Sequence, residues 1–161
     1  SETCLFRILS TTENYGCGLS MNISLIALTG PEGQIGHSTG ERPEFFGPEA
    51  AFNWFLDTIG DGIVVCGGVT VRTMLRDGID PSDLPYSLAV FTKKYGPPNP
   101  ESFLDMLAKA FPGKDVFIAG GRQTYDAFLP FCTNFFIRKA QVKGSPDLYL
   151  PPIFSPKGFL H

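Results

Sequence analysis

The chain has 161 residues, 43% of them hydrophobic and 18% charged, long enough to bury one continuous core and too short for two ordinary domains. A net charge of −3, with no cluster of Lys or Arg, leaves no electrostatic footprint for a phosphate backbone and excludes nucleic acid as the expected partner. No apolar run approaches the ~20 residues of a membrane helix, and the opening SETCLFRILSTTENYG has no basic leader before an apolar stretch, so a soluble cytoplasmic protein with no membrane partner is expected.

Taken in chain order, β-forming apolar stretches occur at residues 4–9, 23–28, 63–66, 87–91, 116–119 and 134–137, and these are the expected strands. Helical spacing occupies 47–59 after a Pro-Glu start, 69–76 after a Gly-Gly pair, 101–111, and 123–129 after a second Gly-Gly pair. Residues 1–20 form an extra strand and a linker ahead of this alternation. Strand and helix then alternate, the pattern of a single α/β domain with a mostly parallel sheet. Turn-rich stretches at 30–40, 77–85 and 95–100 read as loops, the first polar and long enough to move over a site.

The 15 Phe are first of all core material. Cys4, Cys17, Cys66 and Cys132 lie far apart, without the paired spacing that zinc requires or the density of a disulfide scaffold. Neither His37 nor His161 adds a metal site, so no metal is expected.

Chemistry concentrates in two segments. IVVCGGVTVRTM (63–74) reads as a buried strand, a Gly67-Gly68 turn, and a helix whose first turn offers Val69, Thr70 and free N–H groups. Glycine lets the backbone approach an anion, and a helix N-terminus adds unpaired donors and partial positive charge. VFIAGGRQTYDAFLP (116–130) repeats the plan with Gly120-Gly121, followed by Gln123, Thr124 and Tyr125. Two such turns on neighbouring strands can hold opposite ends of one dinucleotide, although neither is G-x-G-x-x-G nor a Walker loop.

Over about residues 21–153, MNISLIALTGPEGQIG, FIAGGRQTYDAFLPFCTNFFI and DLYLPPI resemble the dihydrofolate reductase superfamily. FFGPEAAFNWFLDTIGDGIVVCGGVTVR also resembles the reductase domain of riboflavin-biosynthesis proteins. The resemblance implies a three-layer sandwich with helices on both faces of the sheet, NADPH as cofactor, and a small heterocyclic substrate, as in one-carbon metabolism. It implies Ala27, Ile35 and Gly36 beside the nicotinamide, and Gly67, Gly68, Val69 and Thr70 toward the pyrophosphate and adenosine. Thr92 and Lys93 would lie near the adenine ribose. Gly120 and Gly121, joined in the family by a cis bond, would lead to Gln123, Thr124 and Tyr125 on the cofactor. The family's arginine after the first glycine is Gly68 here, which leaves NADPH preference to Lys93 or Lys94.

The substrate half departs from that pattern. An ungapped alignment from Phe55 to Gly67 puts Ala51 where the pterin-gripping carboxylate belongs, Arg138 at its partner threonine, and Pro85 near the arginine for the folate tail. Phe55 and Arg138 remain as substrate-binding candidates. Glu49 is the candidate catalytic acid, displaced by two residues, or roughly 200° around a helix. Arg72 would contact a substrate phosphate in a riboflavin-type site.

CLFRIL (4–9) resembles the family's final strand, which implies a circular permutation with residues 11–20 linking back. Two functions follow. One is an NADPH-dependent reductase acting on a pterin-like or pyrimidine-like heterocycle. The alternative is a non-catalytic structural or assembly protein that keeps the fold.

Overall fold

A computed structural model describes residues 2–7, as backbone, together with 21–92 and 99–151. Among the described residues the strands are β1 (Glu2–Arg7), β2 (Ile23–Thr29), β3 (Gln34–Gly36), β4 (Ile63–Gly67), β5 (Ser87–Phe91), β6 (Val116–Ile118), β7 (Asn134–Lys139) and β8 (Leu148–Tyr149). The helices are α1 (Pro48–Ile59), α2 (Gly68–Arg76), α3 (Pro100–Ala110) and α4 (Arg122–Phe128). Short 3₁₀ turns follow at Pro81–Asp83 and Leu129–Phe131.

The main sheet runs β1-β7-β2-β6-β4-β5. The five strands from β7 to β5 are mutually parallel, while β1 closes one edge antiparallel to β7. The chain is therefore α/β with a mostly parallel central sheet. All of Ile63–Gly67 is buried, as an unbroken apolar run in a parallel sheet covered on both faces requires.

Side-chain alternation sorts the strands onto two faces. Leu25, Ala27, Val65, Ile118, Phe135 and Ile137 join Phe103, Leu104 and Leu107 of α3 and Phe128 of α4. Ile26, Val64, Phe117 and Phe136 pack instead with Trp54, Phe55, Leu56 and Ile59 of α1. The connection from β2 to β4 crosses the sheet one way with α1 on one face, and that from β6 to β7 crosses the other way with α4 on the opposite face. Reversing both direction and face gives the two crossovers the same hand.

Local signals explain the helix ends. α1 starts at Pro48, whose missing N–H costs nothing at a first position, after Gly47 in the left-handed region at φ 70°. The Asn99 side chain accepts from the Ser102 N–H at 2.8 Å to start α3 at Pro100.

Most expected elements appear within a residue or two of their sequence positions. Residues 4–7 of the expected first strand lie in the main sheet, and Ile8 and Leu9 fall outside the described residues. One correction concerns the 30–40 stretch, read as loop alone. It contains β3, paired antiparallel with β8, because Gly30 and Gly33 close a tight turn (Gly33 N–H to Gly30 O, 3.1 Å) that folds the chain back.

Candidate functional site

Neighbouring parallel strands whose connections leave in opposite directions open a crevice at their carboxyl ends. β4 departs through α2 outward to β5, whereas its neighbour β6 departs through α4 back across β2 to β7. Both glycine turns lie at this divergence. The Gly67 N–H donates to the Gly120 carbonyl at 2.9 Å, so the two turns are hydrogen-bonded to each other. A Cβ on Gly67 would sit 2.5 Å from Thr124 Oγ1, which makes that glycine a requirement of packing one turn against the other. Gly120 has φ +118°, and its bond to Gly121 is cis. A Cβ on Gly121 would meet only Thr70 Oγ1, at 3.6 Å. The fold thus brings Gly67, Gly68, Thr70, Gly120, Gly121 and Thr124 into one place.

Gly68 is open where Gly67 is closed. A Cβ there would lie 3.5 Å from Arg72 Nη1 and 3.7 Å from Thr92 Oγ1. The Arg72 guanidinium therefore reaches back one helical turn, to the edge of the space that a side chain at 68 would enter. The first turn of α2, whose N–H groups have no partner within the helix, begins at this glycine. Val69 and Gln123 are exposed at the rim, and Lys93 lies outside the described residues.

Ala27 is buried in β2, and the neighbouring Ile26 carbonyl accepts the buried Tyr125 hydroxyl at 2.9 Å. That burial raises the Tyr125 pKa well above its ordinary value, so the phenol stays a neutral donor. Ile35 packs against the core on the α4 side, and Gly36 is buried beside Leu148 of β8. Beyond β3, the Asp147 carboxylate accepts from the Ser38 N–H at 2.8 Å and the Ser38 hydroxyl at 2.7 Å. These two bonds hold the Asp147 carboxyl below its ordinary value, the backbone bond contributing most. A depressed carboxyl stabilises the fold above its unfolded value and loses that contribution as pH falls through the folded one. The Ser38 amide resonance is accordingly expected to titrate at a pH below about 3.9, the usual aspartate value, and to lose that titration in Asp147→Asn.

On the opposite face, Ala51 is buried on the inner side of α1, while Glu49 is exposed on the first turn. The structure does not bring Glu49 into the layer between α1 and the sheet. Phe55 does lie there, edge-on to Tyr86 with ring centroids 5.3 Å apart. Arg138 follows Phe136 on β7 by two residues, and strand alternation places it on the same face. The exit of β7 is tied to the entrance of α1: Phe46 N–H donates to Gln141 O at 2.9 Å, Lys143 N–H to Glu44 O at 2.8 Å, and Phe45 bridges Val142. Arg138 and the first turn of α1 consequently share one end of the sheet.

Cys66 and Cys132 are buried, and desolvation pushes both thiols up to about 12, which leaves them as packing groups. Among the described residues no group of three or more His, Cys, Asp or Glu is placed to hold a metal ion, and no helix is long and apolar enough to cross a membrane. An open hollow of about 570 Å³, lined by Glu41, Arg42, Glu44, Arg76 and Asp77, sits at the far end of α2. It contains none of the expected site residues.

Sequence reasoning missed the Arg72 guanidinium over Gly68, although an arginine four residues after a glycine on a helix is the spacing that permits it. It also missed the Ser38–Asp147 contact, whose partners stand 109 residues apart. A scan against models of known protein families finds no match to this chain, and a search of curated proteins finds none either.

Proposed function

We propose that the chain is a dihydrofolate reductase-like, NADPH-dependent reductase that transfers hydride to a pterin-like or pyrimidine-like heterocycle. The observation that supports it most is the meeting of two hydrogen-bonded glycine turns at the carboxyl ends of β4 and β6, where the connections diverge. The space left by the absent side chains of Gly68 and Gly121, bordered by Thr70, Arg72 and Thr92, fits a phosphate-bearing group. The nicotinamide ring, when bound, supplies the hydride. The N–H groups of α2 hold the pyrophosphate, and Arg72 with Thr92 faces the adenosine side in the role that sequence alone gave to Lys93 or Lys94. Ala27, Ile35 and Gly36 wall the nicotinamide end and keep bulk water from it. The arrangement of α1 against α3 and α4 supports a three-layer sandwich, and β1 beside β7 supports a permuted closing strand.

Because Glu49 faces solvent, water supplies the proton in this reading. The alternative, a structural or assembly protein, is favoured by the neutral Ala51 at the inner side of α1. NADPH oxidation, with dihydrofolate and pyrimidine-type acceptors, separates the two. Turnover on either acceptor that changes less than about twofold in Glu49→Gln supports the reductase with a water-derived proton. Turnover lost in Glu49→Gln and kept in Glu44→Gln returns the acid role to Glu49. NADPH binding with no turnover on any acceptor leaves the structural reading.

A further inference from the structure

No further inference is drawn: the strongest candidate, the open hollow between residues 41–44 and the far end of α2, is lined by exposed charges already held by neighbours, Arg42 by Asp77, Arg76 by the Gly40 carbonyl and Glu44 by Lys143, and nothing in the structure shows what would fill it.

Discussion

Phe128→Ala is expected to cost about 3–5 kcal/mol of folding stability, measured as a lowered urea midpoint with an unchanged slope. Phe128 is 0% exposed, and its ring lies 4.8 Å from Phe91 and 5.9 Å from Phe103, both edge-on. It joins α4, α3 and β5 at one point, so truncation leaves a cavity bounded by three separately anchored elements that cannot collapse together. Against a typical total of about 5–15 kcal/mol, that loss takes a large part of the stability. A cost below about 1 kcal/mol would mean that the face built by α3 and α4 is not packed as described.

Gly68→Glu is expected to lower NADPH affinity by about 10- to 100-fold, or about 1.4–2.8 kcal/mol, with little change in stability. The nearest atom to a Cβ at that position is 3.5 Å away, an ordinary contact, so the Cβ fits without displacing its neighbours. It brings a negative charge to the space beside Arg72 and the first turn of α2, where the site expects an anion. A companion substitution, Arg72→Gln, should weaken NADPH more than NADH, since only the former carries the extra phosphate. Unaltered affinity in Gly68→Glu would remove the first glycine turn from the cofactor site. Gly67→Ala is no equivalent control, because its Cβ would collide with Thr124.

The main sheet was legible because its parallel strands are largely apolar runs between turn signals, buried throughout in β4 and β6. Ile63–Gly67 ends at its Gly-Gly pair, and Asn134–Lys139 begins after the Leu129–Phe131 turn. β3 and β8 were not legible, since three and two residues are too few for a period of two to show. The glycine turns were readable as local motifs, but their direct contact depends on β6 inserting between β2 and β4, a non-local fact. The nearness of Arg138 to the start of α1 was hidden for the same reason, since it depends on the pairing of Phe46 with Gln141 and of Glu44 with Lys143. Glu49 and Ala51 differ by two positions in sequence and by inside against outside on the helix.

Calorimetric titration of the full chain with NADPH and with NADH tests the central claim most directly. One saturable site per chain, tighter for NADPH and weakened at least ~10-fold by Gly68→Glu, is the result the two glycine turns require. No saturable binding of either dinucleotide by the folded chain would contradict it.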